Sequence, residues 1–145
     1  LDAALKEGIA DYAFNSNEVD VIKKVREITS GSGADAAVDT AGVPATLTSA
    51  SRALKIGGLI STIALFAKPT ETPLHIMPNK NQQLRTGIQQ CEGVEQIITL
   101  IKEGKINTRF MQTHTAPLNN IMEALDIFGG NKDGCIKYMI TPYER

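Results

Sequence analysis

The sequence predicts an α/β protein built around a parallel sheet, and two observations carry this prediction. Short apolar segments alternate with amphipathic helical segments, which is the order that parallel sheets require. The strongest strand candidates, 35–39 and 59–65, carry small or apolar residues on both faces, as in a buried parallel sheet. The chain has 145 residues, of which 42% are hydrophobic and 21% charged, so its size and composition suit about one globular domain.

Residues 1–90 hold the clearest elements. A helix opens the chain without a capping residue and ends at Gly8, and the first residue is Leu1 rather than Met, so we expect the chain to be a fragment of a longer parent. The elements predicted to follow are a strand at 12–14, a helix at 18–28, a strand at 35–39, a helix at 44–55, a strand at 59–65, an extended segment at 72–77 and a strand at 84–88.

The pattern of predicted strands and helices changes after Gln90, and we predict that the chain has two parts, 1–90 and 91–145. Glycines at 104 and at 129–130 end the two helices of the second part. Its predicted elements are a helix at 92–103, a strand at 109–115, a helix at 119–128 and a strand at 135–140.

Charge and hydropathy exclude several classes of function. The 15 basic and 16 acidic residues leave a net charge of −1, so we expect no attraction to nucleic acid or to an anionic membrane. The longest apolar run, Ile63 to Ala67, is far shorter than the ~20 residues of a membrane span. Two cysteines without metal-type spacing favour a reducing, cytoplasmic location over a disulfide scaffold.

Residues 31–36 read Gly-Ser-Gly-Ala-Asp-Ala, a form of the dinucleotide-binding fingerprint, but their context is wrong. The fingerprint must follow a strand and open a helix, so that the helix N-terminus meets the pyrophosphate. Here the segment follows a predicted helix and opens a predicted strand. We therefore predict an ordinary glycine turn.

Two other positions are better candidates for a ligand. Residues 39–42 lie at the carboxyl end of a buried strand, where open parallel sheets bind ligands, although an ordinary strand-to-helix turn is the alternative. Lys137 lies inside an apolar strand, so its ammonium group either reaches solvent or meets an anion. His75, His114 and Cys91 have no neighbours at catalytic or metal-binding spacing, and we predict structural roles for them.

Five segments in order form one further pattern over the whole chain, at 5–12, 33–42, 54–60, 117–125 and 136–137. Together they resemble the C-terminal part of the zinc-containing alcohol dehydrogenases, members of the medium-chain dehydrogenase/reductase superfamily. The resemblance implies a partial Rossmann-type parallel sheet that lacks its first two strands. It also implies that 91–145 is a C-terminal segment of helices and strands that returns to an absent catalytic domain. The stretch 76–87 looks most like the secondary-alcohol and polyol branches.

The resemblance also implies which parts of the site this chain lacks. In the family, the zinc ligands, the true glycine fingerprint and the residue that selects the cofactor ribose precede the matched segments. We therefore expect this chain to contain no catalytic residue and no metal ligand. Its expected role is limited to contacts with NAD or NADP. The residues expected to contact the cofactor are Thr40, Ala41, Gly42, Ile63, Ala64, Leu65, Gly87, Gln89 and, at the pyrophosphate, Lys137. Glu7 would lie near the adenosine ribose and repel a 2′-phosphate, which favours NAD.

The intact parent is expected to oxidise a small alcohol, with zinc polarising the alcohol oxygen and hydride passing to the nicotinamide. We expect no activity from the isolated chain. A homodimer is expected through residues 72–88, an apolar edge segment that needs cover. Two alternatives remain open, namely a zinc-free quinone reductase relative and a stand-alone oligomerisation or interaction module without catalysis.

Overall fold

A computed structural model describes residues 1–88 and 91–143, and the chain divides into two compact units, 1–90 and 91–145. The helices and strands of the first unit are α1 (Asp2–Lys6), α2 (Val21–Ile28), β1 (Ala34–Asp39), α3 (Pro44–Ala53), β2 (Leu54–Thr62) and β3 (Gln83–Thr86). The strands form a three-stranded parallel sheet in the order β1-β2-β3. The predicted fold class, α/β with a partial parallel sheet, is confirmed.

Local chemistry explains where the helices of this unit begin and end. The Asp20 carboxylate accepts a hydrogen bond from the backbone N–H of Lys23 at 3.0 Å and so caps α2. Pro44 occupies the first turn of α3, where its missing N–H costs nothing. α3 ends because Leu54 adopts an extended backbone and enters β2 directly. Leu54 also belongs to the core, with Leu47 of α3 and Ile60 of β2.

The connection between β2 and β3 is attached to the C-terminal end of α3. The Lys80 ammonium donates to the carbonyls of Ser51, Arg52 and Leu54 at 2.9, 3.0 and 2.7 Å, which satisfies acceptors at the end of the helix. Gln82 accepts from the Ser51 hydroxyl at 2.7 Å and donates to the Ser51 carbonyl at 2.9 Å. Burial lowers the pKa of Lys80 from its ordinary value. Both side chains fix the path of the chain into β3.

The predicted strand at 12–14 is wrong. A strand needs a neighbour to receive its backbone hydrogen bonds, and no strand among the described residues pairs with this segment. The rings of Tyr12 and Phe14 stack on each other instead, with their centroids 6.3 Å apart. β1 is therefore an edge of the sheet within the described chain, and Val38 in it is 67% exposed.

The predicted extended segment at 72–77 is also wrong, because the chain turns there. The backbone N–H groups of Ile76 and Met77 both donate to the carbonyl of Pro73, at 2.9 and 3.2 Å. Met77 is buried, so this turn places an apolar side chain in the interior.

The bounds of β2 differ from the prediction at both ends. Gly57 and Gly58 lie in a bulge of the strand, where Gly57 adopts a φ of 75° and the pairing with β1 shifts register. β2 therefore starts at Leu54 rather than at 59. It ends at Thr62, so residues 63–65 form the turn that follows the strand.

The second unit contains helix α4 (Val94–Lys102), strand β4 (Gln112–Pro117), helix α5 (Ile121–Gly129) and strand β5 (Lys137–Thr141). β4 and β5 pair in parallel, and α5 connects them. The strand predicted at 109–115 begins later because Arg109–Met111 forms a turn of 3-10 helix. Among the residues that the structure describes, no helix has the length and apolar character needed to cross a membrane.

Candidate functional site

The carboxyl ends of β1 and β2 bring two of the predicted cofactor segments together. Because parallel strands end on the same side of a sheet, the turns that follow them, 40–42 and 63–65, emerge next to each other. The backbone N–H of Ile63 donates to the carbonyl of Asp39 at 3.1 Å, which continues the pairing of the strands into the turns. These turns are the position where an open parallel sheet takes a ligand.

Gly42 is required for the close approach of the two turns. A Cβ atom at this position would lie 2.7 Å from the carbonyl oxygen of Leu65 and 3.2 Å from the Cβ of Ala64. The φ of Gly42 is also +68°, a conformation that glycine adopts at little cost. The small side chains of Thr40 and Ala41 are exposed beside it, so a flat ligand could reach this end of the sheet.

A buried carboxylate anchors both turns. Asp39 is only 6% exposed, and it lies at the last position of β1. One of its oxygens accepts hydrogen bonds from the N–H of Ala41 at 3.1 Å and from the hydroxyl of Thr46 at 2.9 Å. The other oxygen accepts from the hydroxyl of Thr62 at 3.1 Å. Asp39 therefore connects the end of β1, the first turn of α3 and the end of β2.

The hydrogen bonds keep Asp39 ionised. Burial raises its pKa, but the donors around it, the Thr46 hydroxyl, the Ala41 amide, the Thr62 hydroxyl and the Gly42 amide, together hold the pKa below the ordinary value of 3.8. Asp39 belongs to the segment 39–42 that the sequence marks as a ligand candidate, but its anchoring role is not apparent from the sequence. The hydroxyls of Thr46 and Thr62 were the available signal, but Thr46 meets Asp39 through the first turn of α3 and Thr62 through the pairing of β1 with β2.

The end of β3 joins the same side of the sheet. The N–H of Gly87 donates to the carbonyl of Thr62 at 3.3 Å, and no described atom lies within 4 Å of a Cβ built on Gly87. Gln89, the second residue predicted at this strand end, lies outside the described residues. Thus the described residues predicted at the strand ends of the first unit all lie in turns at the carboxyl side of its sheet.

A cavity of about 490 Å³ adjoins these turns at the ends of β2 and β3. Its walls combine apolar residues with several threonines and Lys68. The lining residues are Leu47, Thr62, Phe66, Ala67, Lys68, Pro69, Thr70, Thr72, Leu84 and Thr86. None of the residues predicted to contact the cofactor is in this lining, although Thr62, Phe66 and Thr86 are sequence neighbours of Ile63, Leu65 and Gly87.

Lys137 lies in the second unit, and its position differs from the prediction. It is the first residue of β5 rather than an interior one, and its side chain is exposed. Its ammonium nitrogen lies over the ring of Phe128, 5.9 Å from the centroid. An exposed cation at a strand end is accessible to an anionic ligand.

The described residues do not fit a metal site. No group of three or more histidine, cysteine, aspartate or glutamate side chains among them could hold a metal ion. The ring of His114 stacks on Tyr138 with centroids 5.3 Å apart, and Cys91 and Cys135 are unpaired, one exposed and one half-buried. No metal-dependent step is therefore assigned to the side chains that the structure describes.

A parallel sheet that gathers small-residue turns at its carboxyl ends is the architecture of a nucleotide-binding α/β domain. The sequence model of the zinc-binding dehydrogenase family matches residues 1–103. The chain belongs to this family.

Individual relatives support this family assignment. The chain is 29% identical to an alcohol dehydrogenase of Cupriavidus necator over 99% of this chain and 40% of the relative. It is 28% identical to an (R,R)-butanediol dehydrogenase of Neisseria gonorrhoeae over 97% of this chain and 40% of the relative. The solved structure of an alcohol dehydrogenase from Thermus sp. ATN1 shares the fold, with a TM-score of 0.86 at 19% identity over 94% of this chain and 40% of that one. The chain thus spans about 40% of the length of these relatives.

Proposed function

We propose that the chain is the C-terminal, cofactor-side portion of an NAD(P)-dependent, zinc-containing alcohol dehydrogenase. The observation that carries the proposal is the contact between the turns 40–42 and 63–65 at the ends of neighbouring parallel strands, in a member of the zinc-binding dehydrogenase family. The matched relatives are longer, so a parent protein would supply the remaining parts. Exposed apolar side chains support this, because the remaining parts of the parent would cover them. Ile56 and Leu65 are 70% and 77% exposed.

The residues of the chain would bind and orient the cofactor. The turns 40–42 and 63–65 offer small side chains and backbone groups to the nicotinamide half, Gly87 extends this surface, and Lys137 would meet the pyrophosphate. When bound, the nicotinamide ring supplies the hydride acceptor for alcohol oxidation. The chain itself would move no proton and hold no metal. The carboxylate of Glu7 would repel the 2′-phosphate of NADP, which favours NAD as the cofactor.

The same proposal includes the substrate class and the cellular compartment of the parent protein. A secondary alcohol or polyol is favoured, because one relative is named for butanediol and because the stretch 76–87 resembles that branch. The free cysteines are compatible with a reducing cytoplasm. Metal analysis of the parent protein distinguishes this proposal from a zinc-free quinone reductase relative, since bound zinc is expected only for the alcohol dehydrogenase.

Lys137→Ala tests the assignment of the pyrophosphate contact. In the complete enzyme we expect the Michaelis constant for the cofactor to rise and that for the alcohol to stay nearly unchanged, because the ammonium group would touch the cofactor alone. The cofactor should lose about 1.5–3 kcal/mol of binding free energy, the range for a hydrogen bond to a charged group. Steady-state kinetics with varied cofactor gives the answer. An unchanged cofactor constant would mean that Lys137 only reaches solvent.

The homodimer through 72–88 remains part of the proposal, with its contact revised. Because 72–77 turns, β3 is the strand edge that the segment 72–88 offers, and the partner would also cover the apolar side chains of Leu74 and Ile88, which are 66% and 74% exposed. Sedimentation equilibrium is expected to give a dimer at tens of micromolar, and Leu74→Lys is expected to weaken it through like charges near a two-fold axis. Ile9→Lys, also at an exposed position, is the control and should leave the dimer intact. A monomer for the unmutated chain would contradict this contact.

A further inference from the structure

We propose that Phe128 positions the ammonium group of Lys137 for an anionic ligand, through a cation–π contact that holds the side chain without neutralising its charge. The inference rests on the proposed role of Lys137 toward the cofactor pyrophosphate and adds the residue that orients it.

The contact joins two elements of the second unit. Phe128 belongs to the last turn of α5, and Lys137 is the first residue of β5. The ammonium nitrogen lies over the ring at 5.9 Å from the centroid, inside the limit of about 6 Å for an attractive cation–π interaction. Both side chains line a cavity of about 160 Å³ between α5 and β5, whose other walls are mainly apolar.

The charge of Lys137 is uncompensated within the part of the chain that the structure describes. None of the ion pairs found there within 4.0 Å involves Lys137. Asp126, an acidic residue of α5, is already occupied, since both of its oxygens accept from the Lys132 ammonium at 2.9 and 2.7 Å. Phe128 is therefore the contact that the structure gives to this ammonium group.

An aromatic ring suits this task better than a carboxylate would. A carboxylate would cancel the positive charge, and an incoming anion would have to displace it. The negative face of the ring attracts the cation and leaves the net charge at +1. It also restricts the long lysine side chain before binding, so that less rotamer entropy is lost when the anion arrives. Phe128 as a residue is 45% exposed, so packing between α5 and β5 uses only part of its surface.

NMR of the 145-residue chain, labelled at the lysine ε-carbon, tests the contact directly. We expect the Lys137 ε-protons to be shifted upfield by the ring current, and we expect Phe128→Leu to remove this shift while Phe128→Trp retains it. Met122→Leu is the matched control on α5, because Met122 is 75% exposed and lies outside the lining of the cavity; it should change nothing. No upfield shift in the unmutated chain would overturn the proposal.

Titration of the same samples with inorganic pyrophosphate tests the consequence. We expect a saturable response of Lys137, with the dissociation constant raised about 2–5-fold by Phe128→Leu, which corresponds to an exposed cation–π contact. Pentafluorophenylalanine at position 128 keeps the ring but reverses its electrostatics, and it should weaken binding as Leu does. Equal affinities in all samples would overturn the positioning role and leave the proposed function standing. No response of Lys137 in any sample would instead overturn its pyrophosphate role and this inference with it.

Discussion

Gly33→Ala is expected to lower the free energy of unfolding by about 2–5 kcal/mol. A Cβ atom here would lie 2.6 Å from the carbonyl oxygen of Ala53, 2.8 Å from the backbone nitrogen of Lys55 and 2.9 Å from the carbonyl carbon of Leu54. All three are backbone atoms at the junction of α3 and β2, so they cannot move aside as a side chain would. The φ of Gly33 is +91°, which adds the cost of a left-handed conformation for alanine.

Gly31→Ala is the matched control in the same turn. Gly31 has a φ of +88°, and nothing lies within 4 Å of a Cβ built on it, so only the conformational cost remains. We expect a loss of about 1–2 kcal/mol for this variant. Urea unfolding followed by circular dichroism measures both changes. Equal losses for the two variants would contradict the close approach at Gly33.

Asp39→Asn is the second change with a large expected effect. The amide nitrogen of asparagine cannot accept a hydrogen bond, so at least one of the donors around Asp39 loses its partner, and the charge that strengthens the other bonds disappears. We expect the free energy of unfolding to fall by about 2–4 kcal/mol at neutral pH. Asp35→Asn, at an exposed position paired with Lys55, should leave stability nearly unchanged.

The stabilisation by Asp39 should also depend on pH. The folded pKa lies below the ordinary value of 3.8, so the unfolded chain binds the proton first as the pH falls. The contribution of Asp39 is therefore present above the unfolded pKa and is lost as the pH falls through the folded pKa. Asp39→Asn should flatten the decline of the unfolding free energy between about pH 5 and pH 2. An unchanged decline would mean that Asp39 does not stabilise the fold through its charge.

Elements with a strong local period were predictable from the sequence. The helices α2, α3 and α5 and the strand β1 were located to within a few residues, because apolar spacing, capping residues and glycine stops act locally. An extended segment becomes a strand only if a neighbouring strand pairs with it, and the local sequence does not specify that neighbour. This explains why 12–14 and 72–77, both read as extended, form no strand.

The position of the candidate site could be predicted in outline, whereas the contacts that support its turns could not. Strand ends are where an open parallel sheet takes a ligand, so the turns at 40–42 and 63–65 could be found from the sequence and the resemblance. The anchoring by Asp39 and the capping of α3 by Lys80 join residues far apart in the chain, and no spacing rule reveals such pairs. Gly33, part of the misleading fingerprint, serves the packing of α3 and β2 instead.

We propose that the carboxyl ends of β1, β2 and β3 form part of a nicotinamide cofactor site, and amide shift mapping of the chain with NADH is the decisive test. We expect weak binding, with a dissociation constant of about 1 mM or more, because the sequence has no glycine fingerprint between a strand and a helix. The shifts should cluster at 40–42, 63–65 and Gly87, nicotinamide mononucleotide should reproduce them, and AMP should not. No shift in either turn at about 10 mM NADH would contradict the claim.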